Sequence, residues 1–389
     1  MAHSDYLFVH PLLGADEAWS GYRIRSPRGQ ENSELLARLC ASGKLKPFDQ
    51  RHPWLLPVCD TASGGEQCAD PAILVFSAQP AAEGASKLEA ELRKARRKLC
   101  LQTSPQLKLP ATGTWDYVLI AASHARSLPP FTLIGLSSRT TVIATEVHSH
   151  ADRQWLLDNA CALSSDEFLL ARATPNAKAD TTRVKLLELL GLIAKDADTP
   201  ALEDIFRQEA KLSYSLLRLV NSAAIAPPNP ITSFAQAINL LGRRQLQRWL
   251  QLLVYADPNN GQHPNPLLQK AACRGRLLEM LAQQVEPPLS LENVEDTAFM
   301  IGTFSLLDVL LNMSMAEILQ QLPLTETVTG ALAEHVGSLG QLLDAIASAD
   351  AGDLESAARQ LKALGISGEK HLQCQLDALT WAASIRQIA

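Results

Sequence analysis

Residues 141–173 read TVIATEVHSHADRQWLLDNACALSSDEFLLARA, and two kinds of structure meet inside them. TVIATEV (141–147) is a short run of apolar, β-branched residues and predicts a buried strand. WLLDNACAL (155–163) has the length and spacing of a helix. If the strand ran on past Val147, Glu146, His148 and His150 would fall at i, i+2 and i+4 and project from one face. A carboxylate with two imidazoles is a sound ligand set for a divalent transition metal. The stretch therefore predicts a strand–helix unit and raises the question of metal chemistry beside it.

The same rhythm extends upstream. PAILVFSA (71–78), YVLIAA (117–122) and FTLIGL (131–136) read as further buried strands. ASKLEAELRKARRK (85–98) reads as an exposed helix, with Glu89 spaced to pair with Arg93 and Glu91 with Lys94. Strands interleaved with helices predict a parallel sheet, open or closed into a barrel. Glycine, serine and proline gather at 60–71 and 79–85 as loops.

From Pro175 onward the strand-like runs stop. Leu246, Trp249, Leu250, Leu253 and Val254 recur at helical spacing. Thr199 before Pro200 suits a helix start, and Ser233 with Gln236 suits a capping box opening FAQAINLL, which Gly242 can close. The prolines of APPNP (226–230) make a stiff loop between helices. The expected organisation is an α/β domain over 1–174 and an all-helical domain over 175–389, with the boundary in ATPNAKAD (173–180).

Composition narrows the classes. The chain has 389 residues, 47% hydrophobic and 20% charged, enough for two or three ordinary globular domains. A net charge of −6 gives no general attraction to nucleic acid or anionic lipid. The seven cysteines are scattered, never spaced C-x-x-C, and predict reduced thiols in a cytoplasmic protein. The first residues lack a basic n-region and do not read as a signal peptide. LLELLGLIA (186–194), the longest apolar block, is interrupted by Glu188 and is too short to span a bilayer.

Several long stretches in the second half resemble the HDOD domain, a helical relative of the HD phosphohydrolases. They are LSYSLLRLVNSA (212–223), ITSFAQAINLLG (231–242), AFMIGTFSLLDVLL (298–311), QQLPLTETVTGALAEHVGSLGQLLD (320–344) and ALTWA (378–382). Glu209-Ala210 departs from the Asp-Pro usual before the first of these helices. The first half resembles, more weakly, a shortened EAL domain, the TIM-barrel-derived fold that hydrolyses cyclic di-GMP. There 141–173 matches the closing strand, helix and strand, and WDYVLIA (115–121) matches a strand that usually reads F-D-Y-V-K-I-D.

The EAL resemblance implies a degenerate site. An active member holds two divalent cations on acidic ligands. Arg23, in GYRIR (21–25), stands where the signature glutamate is expected. Gln102 and Thr103, after RRKLCL (96–101), replace paired aspartates. Leu119 and Ala121 replace a lysine and an aspartate, and Thr145 replaces a metal-binding glutamate. No His-Asp dipeptide exists in the chain, and after residue 175 the histidines are His263, His335 and His371, so an HD metal site is not expected either.

The resemblances together imply a signalling protein without catalysis, metal or cofactor, acting on a protein partner through the HDOD domain. A cyclic di-GMP receptor that binds without hydrolysis is the alternative, and a residual phosphodiesterase a weaker one. Asn221 and Ser222, which end the helix YSLLRLV, and Arg243 and Arg244, at the start of the next, are the candidate interaction surface. Each also has a structural reading: Asn221 as a helix C-cap, and the arginines (with Arg248) as a solvated face with local ion pairs.

Overall fold

The computed structural model describes residues 6–27, 33–58, 72–78, 83–172, 230–255 and 266–385, with single positions between 188 and 221. The chain forms two compact units. One comprises residues 1–171 with 350–358 and 367–372; the other holds 172–349, 359–366 and 373–389.

Eight strands form a closed barrel in sequence order. They are β1 (Phe8–Leu13), β2 (Trp19–Arg25), β3 (Trp54–Pro57), β4 (Ala72–Ser77), β5 (Leu99–Gln102), β6 (Tyr117–Ala121), β7 (Thr141–Thr145) and β8 (Leu163–Ser165). β1 runs antiparallel to both β2 and β8, and the pairs from β2 to β8 are parallel. Closure answers the question of unpaired edges that a shortened sheet raises. Both faces of these strands are buried, so they read as near-continuous apolar runs. Inside, seven strands each place one side chain in a common cluster: Leu12, Leu55, Ile73, Cys100, Leu119, Ile143 and Leu163. β2 contributes none of them. Its residues in register with that layer are Gly21, opposite Leu12, and Arg23, opposite Leu55.

Helices α1 (Ser33–Ala41), α2 (Glu83–Lys94), α3 (Ala122–Ser127), α4 (Thr132–Ser137) and α5 (His150–Asp158) lie between strands, and a 3-10 turn covers Glu167–Leu170. Glu89 pairs with Arg93 at 2.8 Å as its spacing predicts, whereas Glu91 faces Lys87 at 4.0 Å rather than Lys94. FTLIGL is a correction: it is helix α4, not a strand. Only Leu133 and Leu136 of that helix are buried, a helical interval, while Phe131 is 76% and Ile134 42% exposed. A six-residue apolar run cannot declare its period without its neighbours, and two prolines before Phe131 start a helix turn here. Cys40 is a second correction. It is disulfide-bonded; scattered sequence spacing carries no record of which thiols the fold brings together.

Every element assigned after residue 172 is helical among the described residues. They are α6 (Phe234–Leu253), α7 (Pro266–Ala282), α8 (Val294–Phe304), α9 (Leu307–Leu311), α10 (Met315–Gln321), α11 (Glu326–Ala333), α12 (Gly337–Asp350), α13 (Leu354–Ala363) and α14 (Gly368–Ser384). Ser233 caps α6 by accepting from the Gln236 amide, while the Gln236 side chain accepts from the Thr232 amide instead of the capping residue's own. Gly242, at φ 71° and ψ 163°, is outside the helical region and separates two helical segments of α6, closing FAQAINLL as its position predicts. Thr199-Pro200, APPNP up to Asn229 and ATPNAKAD lie outside the described residues. No single described helix is long and apolar enough to cross a membrane.

α7 and α8 meet at two glycines. A methyl group on Gly302 would sit 2.6 Å from the Arg274 carbonyl oxygen and 2.7 Å from the Gly275 Cα. Alanine normally favours a helix interior over glycine by about 1 kcal/mol. Here Gly302→Ala is expected to reverse that sign and lower stability by about 1–3 kcal/mol through overpacking, measured by urea unfolding.

His371, in the barrel unit, is buried against the rings of Phe8 (4.9 Å) and Tyr6 (6.3 Å). Burial pushes its pKa down to about 4, opposed by a backbone hydrogen bond at Leu7. The unfolded chain therefore takes up this proton near pH 6.5, while the folded chain resists it until about pH 4. Stability falls as pH drops through that window, by on the order of 3 kcal/mol from this group. In His371→Phe the fall between pH 6.5 and 4 should be shallower; an unchanged slope in pH-dependent denaturation would remove this account.

Candidate functional site

In parallel barrels the strand C-termini, where the following loops begin, are the usual place for chemistry. Register sets which side chains converge there. Leu55 pairs with Arg23, Gln102 with Leu119, Leu119 with Ile143, Ala121 with Thr145, and Leu12 with Ser165. Paired residues point to the same side of a sheet, so these side chains share the face of the apolar interior layer. Arg23, Gln102, Leu119, Ala121 and Thr145, singled out from four scattered stretches of sequence, are thus gathered on one inner face.

The gathered groups interact. Arg23 Nη2 donates to Gln102 Oε1 at 3.2 Å, linking β2 to β5. Thr103, just past β5, is turned aside: its hydroxyl donates to the Leu119 carbonyl at 3.0 Å and lies 3.4 Å from His124 Nδ1. Ser165 donates to the Glu167 carboxylate, and the Val147 amide donates to both at 3.3 Å.

Charge at this mouth is mixed. Burial lowers the Arg23 pKa to about 10, helped by nearby Arg25 and opposed by Cys100, Glu167 and Glu146. The guanidinium therefore keeps its charge at neutral pH. Burial also pushes the Cys100 thiol up to about 12, so it stays protonated and is no anionic ligand. Arg25 and Glu167 belong to this mouth although sequence reasoning did not single them out. Arg25 is two residues from Arg23 on the same strand, a spacing that could have marked it.

A pair of divalent cations needs converging anions, and these residues do not fit that need. The inner positions present a guanidinium, an amide, two aliphatic groups and a hydroxyl. Among the described residues no three His, Cys, Asp or Glu side chains come together as a metal would require. Glu146, His148 and His150 do not form one either. β7 ends at Thr145, Glu146 turns away with φ 57°, Ser149 caps α5 by accepting from the Asp152 amide, and His150 is already helical, its ring 5.1 Å from that of Phe168.

On the helical side, Arg244 donates to Asp296 and lies 3.2 Å from Glu295. Arg248 reaches Asp296 at 2.7 Å and the buried Glu279 at 2.8 Å. The local pairing expected of these arginines is thus supplied by residues about 30 to 50 positions away. Ser222 and the Arg243 side chain lie outside what is described.

Residues 180–287 match the HDOD domain family. Two curated relatives align with about half of the chain. Cyclic di-GMP phosphodiesterase CdgJ of Vibrio cholerae is 31% identical over 193 residues, 50% of this chain and 44% of that protein. Uncharacterized protein YuxH of Bacillus subtilis is 28% identical over 204 residues, 51% and 47% respectively. The chain thus spans about half the length of the curated relatives it matches. Among solved structures, the EAL domain of Mycobacterium smegmatis DcpA aligns with TM-score 0.32 at 13% identity, over 41% of this chain and 89% of that one. The Bacillus subtilis YkuI protein, with an EAL domain, solved with substrate c-di-GMP and calcium, aligns with TM-score 0.32 at 12% identity, over 62% and 73%. The chain therefore carries an HDOD domain at 180–287 and is homologous to a cyclic di-GMP phosphodiesterase.

Asn221, inside that domain, is a clamp between two backbone segments. Its amide donates to the Leu217 carbonyl (2.7 Å) and the Ile231 carbonyl (2.8 Å), and its oxygen accepts from the Ile231 amide (2.7 Å). Asn221→Ala strands these part-buried groups and should cost about 1–3 kcal/mol of stability. Asn221→Asp, which sets a carboxylate oxygen against the two carbonyls the amide donated to, should cost at least as much. Paired urea titrations read both, and a neutral Asn221→Ala would contradict the clamp.

Proposed function

We propose that this chain is a signalling protein without catalysis, in which the HDOD domain is a regulatory module that binds a protein partner and the barrel is an EAL-type domain that has lost hydrolysis of cyclic di-GMP. The observation that carries this reading is the Arg23–Gln102 hydrogen bond across the barrel mouth. Hydrolysis of a phosphodiester by two metal ions requires the cations to be held by anions while they activate water and take up developing charge. A dication about 5 Å from a guanidinium, at the effective dielectric of such sites, is opposed by on the order of 6 kcal/mol. Thr145 and Ala121, paired in register on the same inner face, bring no carboxylate to offset that repulsion.

A second reading, a cyclic di-GMP receptor, is favoured by one feature of the same arginine. Its bonded partner is a neutral amide, so the remaining guanidinium donors stay available to an anion, and guanidinium binds phosphate bidentately. The naming of CdgJ as a cyclic di-GMP phosphodiesterase makes that dinucleotide the ligand to try.

The test is incubation of the full chain with cyclic di-GMP and Mg²⁺ or Mn²⁺, with linear product assayed by chromatography and binding by calorimetry. No product above buffer is expected. Metal-dependent product abolished by a chelator would overturn the non-catalytic reading. Saturable heat without product, lost in Arg23→Ala, would select the receptor over the partner-binding module.

A further inference from the structure

α6, α7, α8 and α14 enclose a cavity of about 340 Å³ whose lining joins aromatic faces to charged groups. We propose that it is a binding site for a small planar aromatic anion: one or two fused rings carrying a carboxylate or a comparable acidic group.

Size and walls define the body of the ligand. The volume lies at the lower end of the roughly 300–1,000 Å³ that small-molecule pockets occupy. Trp249, Phe299 and Trp381 supply one continuous aromatic surface, with centroids 5.8 Å apart for Trp249–Trp381 and 6.0 Å for Phe299–Trp381. Trp249 and Phe299 are 4% and 1% exposed, while Trp381 is half-buried, so the wall runs from the core to the surface. Aromatic faces bordering a void give up the dispersion contacts that a filled core would provide, and a flat π system restores them at stacking or edge-on geometry.

The polar end defines the charge. Glu279, buried at 2% exposure, lines the cavity and receives Arg248 on one carboxylate oxygen and Arg276 on the other, each at 2.8 Å. Arg248 is committed further, to Asp296 at 2.7 Å and to the face of Phe299 at 5.3 Å. Arg276 is different. Its side chain is 36% exposed and, among the described residues, its hydrogen bond is to Glu279 alone. The lining holds two guanidinium groups and one carboxylate, and Asp296 just outside it balances Arg248, so the donors left over are those of the partly exposed Arg276. A cation would meet the Arg276 guanidinium unfavourably, and an uncharged hydrocarbon would leave its remaining donors unused. An aromatic body against the tryptophans with its acidic group on Arg276 uses both ends. This assignment is independent of whether the barrel hydrolyses, binds or ignores cyclic di-GMP.

The experiment is a titration of the full chain with 1-naphthoate, followed on the indole N–H signals of its six tryptophans in a two-dimensional ¹H–¹⁵N spectrum. Trp249→Phe and Trp381→Phe identify the two relevant signals. The expected result is saturable shifts in those two alone. 1-Naphthalenemethanol, which keeps the rings and lacks the charge, should bind about fivefold more weakly, the scale of a partly exposed ion pair. Arg276→Gln should erase that preference and Arg276→Lys should retain much of it, so the pair reads the charge even if one variant is poorly folded. No shift at millimolar naphthoate, shifts confined to the other four signals, or equal binding of the alcohol would each overturn the proposal.

Discussion

Pairing of β1 with both β2 and β8 is the constraint on which the barrel depends. Every strand N–H and C=O needs a partner, and a sheet running only from β2 to β8 would end in two open edges. β1 supplies both partners at once, in antiparallel register, with Leu12 opposite Gly21 on one side and Ser165 on the other. Closure then forces the inner face of every strand towards a common axis. That is how Arg23 of β2 and Gln102 of β5, strands separated in the sheet by β3 and β4, come within hydrogen-bonding distance. A flat sheet of the same strands would hold them three strand spacings apart, roughly 14 Å.

Gly21 and Arg23 show what closure does to the one strand that gives nothing to the apolar layer. A Cβ on Gly21 would lie 3.3 Å from Pro53 and 3.5 Å from the Leu12 side chain, so that inner position is already filled by its neighbours. Two residues further along, the barrel opens and the long Arg23 side chain can stay half-buried while its head finds Gln102. The apolar plug and the polar mouth are thus successive levels of one structure. The plug fills the lower interior, and burial of the Arg23 side chain above it is the largest cause of the lowered Arg23 pKa.

The strands with apolar residues on both faces announced themselves in the sequence, because YVLIA and TVIAT admit no polar face. FTLIGL looked the same and is a helix, since burial of Leu133 and Leu136 but not Ile134 depends on which side of the turn meets the barrel. Ser233 was readable as a cap because its partner lies three residues away. Glu279, Asp296 and Trp381 were not readable as neighbours of Arg248 and Trp249, since no local spacing relates them. The identity of residues at the barrel mouth was readable from resemblance. What those residues do to one another, as in the Arg23–Gln102 bond, comes from closure of the barrel.

The balance of charge at the mouth constrains how any anionic ligand could be held there. Arg23 and Arg25 are offset by Glu146 and Glu167 within the same electrostatic neighbourhood. Such a mouth has little net field to draw a dinucleotide from a distance, and whatever long-range term remains is screened within about 8–10 Å at ordinary ionic strength. Selectivity would then rest on direct donation from a guanidinium already oriented by Gln102, a contact much less sensitive to salt than steering is. Arg23, oriented by Gln102, offers hydrogen-bond donation to an oxyanion, a recognition chemistry that needs no metal.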